Sequence, residues 1–215
     1  MRNWLLVAMV VVLQGCTSSG SDQSPLNAEE TYDGLVRVNN ARFQRVWVDP
    51  EADFSRYTRY MSGGARFEFR EVVPQGRSGA REFPVSEQQR ERLRKEVGAV
   101  FDEELAGSRY FTRADAAGPD VLIVEGALLD IVSQVPPQGG GRESIFLDQV
   151  GTATLVIQLR DSQTHMVLAR AVERRTAGSS TGFRANSATT WREVRRLARR
   201  WAVSLRDGLD NFHQP

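Results

Sequence analysis

Few residues of this chain are of a kind that does chemistry, and their spacing narrows what that chemistry is. Cysteine occurs once, at Cys16, and histidine twice, at His165 and His213. Cys16 follows Leu13-Gln14-Gly15, at the end of an apolar run from Trp4 to Leu13 that Arg2 precedes. That succession of positive, apolar and small residues is the pattern of a secretion signal, and a cysteine directly after the small residue makes it a lipobox. Residues 1–15 are therefore expected to be removed and Cys16 to carry the lipid. A transmembrane reading is weaker, because about ten apolar residues are too few for a hydrocarbon core of about 30 Å. Acylation of Cys16 uses up the sole thiol, which leaves none for an intrachain disulfide, a thiolate metal ligand or a cysteine nucleophile.

The remaining candidates are read as structural. His165 closes the stretch Asp161-Ser162-Gln163-Thr164-His165 between two strand-like runs. A hairpin turn often needs a positive φ there, and His tolerates it better than most residues. His213 stands two residues from the end of the chain, where fraying is expected. Asp49, Glu51 and Asp53 alternate like the start of a calcium loop, yet Phe54 and Tyr60 hold the places of its Gly and Glu, so these acids are read as turn caps. Gly139-Gly140-Gly141 lacks the Lys-Ser/Thr of a phosphate loop and is read as a hairpin connection. Glu103 and Glu104 project about 100° apart on a helix, a poor carboxylate pair. Asp130 interrupts an apolar run: facing the core it would need an arginine, and the open sheet face is the simpler place for it. No G-x-S-x-G elbow anchors a serine triad. Catalytic, cofactor-binding and metal-ligating residues are accordingly expected to be none, and no cofactor is implied.

One charged surface stands out. Arg192, Arg195, Arg196, Arg199 and Arg200, with Arg206, share a C-terminal segment with Glu193, Asp207 and Asp210. They are a candidate interaction surface for anionic headgroups, glycan carboxylates or an acidic protein, against the plainer reading of a solvated, partly paired face. The whole chain has 28 Lys+Arg against 27 Asp+Glu, so no global excess draws it to nucleic acid. The partners expected are the membrane, through acylated Cys16, and another envelope protein or peptidoglycan.

These residues must be held by the elements that hydrophobic patterning predicts. Thr17–Thr31 is Ser-rich and poor in large apolar groups, a tether that cannot bury enough surface to fold. Thr17 and Ser18 put no Asp beside Cys16, the arrangement that goes with transfer to the outer membrane. Residues 32–215 are expected to form one periplasmic domain. Phe67 and Phe69 alternate with charged residues in a strand over 65–72, followed by a Pro74–Pro84 loop. Ser86 and Gln89 form a capping box before a helix that ends near Gly107. Asp120–Ser133 reads as a covered strand, and 150–160 with 166–174 as a hairpin. A loop over 178–187 precedes a second helix, whose capping box is read at Thr190 and Glu193. Val194, Leu197, Ala198, Trp201, Leu205, Leu209 and Phe212 make its apolar face. The implied fold is α+β, a two-layer sandwich with a mainly antiparallel sheet of about four to five strands and two helices on one face.

The lipobox, Tyr32-Asp33-Gly34-Leu35 after the tether, the segment Val48 to Tyr57 (VDPEADFSRY) and a hairpin leading to an amphipathic helix together resemble a family of bacterial lipoproteins known as the domain of unknown function number 3313. The likeness runs over nearly all of the chain after the signal. Where that family's turn carries Asp-x-x-Thr-Gly, this chain has His165 after Thr164. The family has no assigned activity, so the resemblance implies location and fold and no catalytic residue. The layout also looks like small α/β domains of periplasmic lipoproteins that regulate peptidoglycan synthesis or assemble secretion complexes, an analogy of fold alone. The expected function is that of a non-enzymatic binding or scaffold module anchored in the outer membrane. The alternatives are an envelope hydrolase and a carrier of a small ligand or lipid.

Overall fold

The computed structural model describes residues 33–39, 41–72, 82–136 and 145–213. The expectations for residues 1–32, Cys16 and its tether included, for most of the Pro74–Pro84 loop and for Gly139-Gly140-Gly141 fall outside these residues. In chain order come β1 (Val36–Val38), β2 (Arg45–Val48), β3 (Arg59–Phe69), α1 (Glu87–Ala106), β4 (Thr112–Arg113), β5 (Val121–Ser133), β6 (Phe146–Asp161), β7 (Val167–Arg184) and α2 (Ser187–Asp210). Short 3₁₀ turns lie at Phe54–Arg56 and Asn211–His213. The class is α+β, as the patterning implies. The sheet is larger than expected and mixed: seven strands in the order β1-β2-β7-β6-β5-β3-β4, with β3 parallel to both β4 and β5. The reason is connectivity. A helix between β3 and β5 carries the chain back along the sheet, so the second strand starts at the same end as the first. β1 and β2 are too short for alternation to reveal them.

Local chemistry sets the helix boundaries. At α1 the Ser86 N–H donates to Gln89 Oε1 (2.9 Å) and Gln89 N–H to Ser86 Oγ (3.3 Å), the reciprocal cap expected, and Gly107 ends the helix. α2 starts three residues ahead of Thr190. Its cap is Asn186, which accepts from Thr189 N–H (3.0 Å), while Thr189 Oγ1 accepts from Asn186 N–H (3.0 Å). A hydroxyl here does the work that a Glu or Gln does in the usual motif, which is why the pattern at Thr190 and Glu193 misleads. The expected loop over 178–187 is also corrected, since residues 178–184 continue β7. Gly178 is present for clearance: a Cβ there would collide with the Asp148 carbonyl oxygen of β6.

Both helices lie on one face of the sheet and run parallel. Arg195 of α2 pairs with Glu96 of α1 (3.1 Å), and further along Arg206 pairs with Glu104 (2.7 Å). α2 buries Leu197, Ala198, Trp201, Ala202, Leu205 and Leu209, the apolar face predicted, against Leu155, Ile157 and Leu159 of β6 and Leu122 and Leu128 of β5. Alternation sends the intervening residues to the opposite face. There Leu35 covers Trp47 and Val172 in a small separate cluster, with Val156 and Val167 packed against it.

Candidate functional site

The inward side chains of β6 shrink along the strand. Ile157 and Leu159 fill the layer beside the C-terminal halves of the helices, but Ala153 of β6 and Ala177 of β7 face the N-terminal halves. Small residues leave volume that the helices do not reclaim. The result is a cavity of about 740 Å³ between sheet and helices, inside the range of about 300–1,000 Å³ usual for ligand pockets. Its walls are Leu93 and Val97 of α1, Trp191, Val194, Leu197 and Trp201 of α2, and Leu128, Ile131, Val132 and Val150 of the sheet. Its polar rim comes from the two helix starts: Ser86, Gln89 and Arg92 on one side, Asn186, Ser187 and Thr190 on the other. The Arg92 guanidinium lies 4.5 Å from the centre of the Trp191 ring and bridges the mouth.

Within this apolar surround one donor is unsatisfied. Trp201 is 2% exposed, and its indole Nε1 has no hydrogen-bond acceptor among the described residues. A buried N–H without a partner costs about 1–3 kcal/mol. The pocket's lining suits an apolar chain, and its rim a polar head.

The carboxylates and histidines singled out by sequence lie elsewhere. Asp130 sits on the open face at a bulge of β5, with φ +54°, a conformation Asp adopts more readily than most residues. Arg70 grips both its oxygens at 2.6 Å, and Arg174 of β7 adds a third contact at 2.6 Å. The bonds from Arg70 are the main reason its carboxyl is held below the usual range. His165 has φ +60° at the exposed hairpin turn, as its position predicts. Asp161 organises that turn, accepting from Gln163 and Thr164 N–H and from the Tyr57 hydroxyl (2.8 Å). The expectation of a frayed His213 is corrected: its Nε2 lies 2.7 Å from Tyr57 O, and the ring stacks on Tyr110. Two aromatic neighbours and one hydrogen bond outweigh the fraying tendency of a terminus. Asp49 caps the Glu51 N–H and Asp53 the Ser55 N–H, the turn role assigned to them. Glu103 and Glu104 accept ion pairs from Arg199.

Most of the arginines on α2 are exposed and engaged at once. Arg195 pairs with Glu96, Arg196 with Glu193, Arg199 with Glu103 and Glu104, and Arg192 stands 3.8 Å from Glu193. Arg200 has no such partner among the described residues. Cys16 lies outside them. Among the described residues no group of His, Cys, Asp or Glu is arranged to hold a metal, and no helix is long and apolar enough to cross a membrane. Sequence reasoning did not find the cavity. The signal was present as Ala153-x-Leu155-x-Ile157-x-Leu159, a volume gradient along one inward-facing row.

This architecture defines an α+β domain with two parallel helices over one face of a mixed sheet. The chain belongs to the family described as Protein of unknown function (DUF3313), whose model matches residues 22–205. No curated protein matches it. Among solved structures, a protein from Xanthomonas campestris assigned to family DUF330 is similar at 11% identity, over 70% of this chain and 82% of that one, with a TM-score of 0.39. The PelC dodecamer from Paraburkholderia phytofirmans is similar at 12% identity, over 69% and 90%, with a TM-score of 0.33. A putative neuraminyllactose-binding hemagglutinin homolog from Helicobacter pylori is similar at 8% identity, over 70% and 84%, with a TM-score of 0.35. At such identities and scores nothing of those proteins' binding or assembly is carried over.

Proposed function

We propose that the protein is a non-enzymatic binding module of the bacterial envelope. In this reading acylated Cys16 anchors it in the outer membrane, and it takes a fatty acyl chain into the cavity between α1, α2 and the sheet. The observation that carries the reading is the 740 Å³ pocket between sheet and helices, whose lining is mostly apolar. Each methylene moved from water into such a wall contributes about 0.8 kcal/mol, so a chain of ordinary length needs no charged contact to bind.

A fluorescent polyene fatty acid tests this directly, because Trp191 and Trp201 line the pocket and transfer their emission to a bound polyene. Saturable transfer is expected for the full chain. Ala177→Leu, on the cavity floor, should abolish it while leaving the melting temperature unchanged or raised. A wild type that takes up no probe, or a filled variant that binds as well as wild type, sinks the reading. Anchoring is tested separately by metabolic labelling with a palmitate analogue, which should mark the wild type and not Cys16→Ser.

A further inference from the structure

β2 stops pairing with β7 at Arg45 and Val172, and from there the rim of the sheet loses its neighbouring strand. The side-chain amide of Gln44 substitutes for one residue, donating to Arg174 C=O and accepting from Arg174 N–H, both at 3.1 Å. Beside it opens a cleft of about 680 Å³ to which Arg45 of β2, Arg174 and Arg175 of β7 and Arg200 of α2 all contribute. We propose that this cleft is an anion site for a phosphate-bearing group, independent of the acyl pocket.

The four guanidiniums are not alike. Arg174 is held by Asp130, Thr154 and Thr152, so it is a preset wall. Arg175 is tied at one nitrogen to the buried Glu173 (2.7 Å), yet its Nε is buried with no acceptor. Arg45 and Arg200 carry no ion pair or hydrogen bond among the described residues. Two carboxylates thus meet four guanidiniums, and one of them, Asp130, is shared with Arg70. Like charges brought to one cleft raise its potential and favour an anion there. A phosphate monoester offers more charge than a carboxylate, and three acceptor oxygens. Four arginines lining one cleft, of which Arg45 and Arg200 have no ion pair or hydrogen bond among the described residues, match the monoester. The phosphate comes either from a soluble metabolite or from a lipid headgroup, and the chemistry of recognition is the same.

The test titrates inorganic pyrophosphate into the full chain bearing Cys16→Ser and follows the arginine Nε–H resonances. A saturable shift of the Arg45 and Arg200 signals is expected. Arg45→Ala and Arg200→Ala should each weaken binding about tenfold or more, the loss typical of a charge-assisted hydrogen bond. Lys95→Ala, on the outer face of α1, should not. A second arm sediments the protein with phosphatidylcholine vesicles with and without phosphatidic acid. Retention by phosphatidic acid that Arg200→Ala abolishes assigns the phosphate to a lipid, and pyrophosphate binding without retention assigns it to a soluble ligand. The absence of a saturable shift, binding by both arginine variants equal to wild type, or vesicle retention without pyrophosphate binding would each overturn the proposal.

Discussion

The two ends of the helix layer are built from the same two helices on the same sheet, yet one is filled and the other hollow. At the C-terminal end Leu105, Phe111, Leu205 and Leu209 are buried together. Phe54 stacks on Phe212 at 4.2 Å, and Asp210 accepts from Ser108 Oγ and Arg109 N–H. At the N-terminal end Ala153 and Ala177 leave the cavity between sheet and helices. The difference lies in side-chain volume, not in secondary structure. A packed end supplies stability, which lets the other end keep room that a close-packed interior would not tolerate.

The widest gap between the ends should appear when the same deletion is made at each. Leu209→Ala, at the filled end, is expected to cost about 2–5 kcal/mol, because the removed atoms leave a new void. Leu93→Ala opens onto space that already exists and should cost only about 1 kcal/mol, for the lost transfer alone. Denaturant midpoints measure both. Equal losses would mean that the N-terminal end is packed as tightly as the other and that the pocket closes in solution.

Acid should weaken the filled end before the hollow one. Burial pushes the Asp161 carboxyl up, but the bonds from Thr164, Tyr57 and Gln163 together overcome it and hold the group at about 2, against 3.8 ordinarily. A depressed folded value means that the unfolded chain takes up the proton first. The stabilisation is complete above about pH 4 and is lost as pH falls toward 2. Its size is about 2 kcal/mol. Asp161→Asn should lower stability at pH 7 by roughly that amount and flatten the loss between pH 4 and 2, read as unfolding midpoints across that range. A variant that keeps the wild-type acid transition would show that the turn does not anchor this end through Tyr57.

Between the helices, Glu104 accepts from Arg199 (2.9 Å) and Arg206 (2.7 Å). Because the two pairs share one carboxylate, Glu104→Gln removes both and is expected to cost about 1 kcal/mol, declining as salt is raised. A loss several times larger, or one indifferent to salt, would identify ion pairing rather than apolar packing as what closes this end.

What could be read beforehand follows the range of the physics involved. α1 with its Ser86 and Gln89 cap, β5 with its β-branched run and the hairpin at Asp161 all rest on neighbours within a few residues, and each was legible. The parallel pairing of β3 was not, since it depends on where α1 delivers the chain. β7 past Gly178 was hidden by a Gly- and Ser-rich composition that serves close approach to β6. The arginines of α2 were visible as a stripe, but their acid partners Glu96, Glu103 and Glu104 sit on another helix whose direction no local pattern reveals. The pocket depends on five or six side-chain volumes in three elements, and only the gradient along β6 announced it.

The smallest effect is expected at His165, and its smallness is what it tests. With φ +60°, the residue is held in a region that costs a non-glycine residue about 1 kcal/mol, which glycine avoids. Glycine in turn loosens the unfolded chain by about 0.4–1 kcal/mol. The two nearly cancel, so His165→Gly should melt within a degree or two of wild type. The hydrogen bond from His165 N–H to Asp161 O (2.9 Å) survives the change, because it uses only backbone atoms. Uptake of the polyene fatty acid should also be unchanged, the turn lying at the filled end of the layer. If the variant instead loses stability by more than about 1 kcal/mol, or loses the probe, the imidazole is contributing something that the turn geometry does not require. The division between a structural end and a binding end would then have to be redrawn around it.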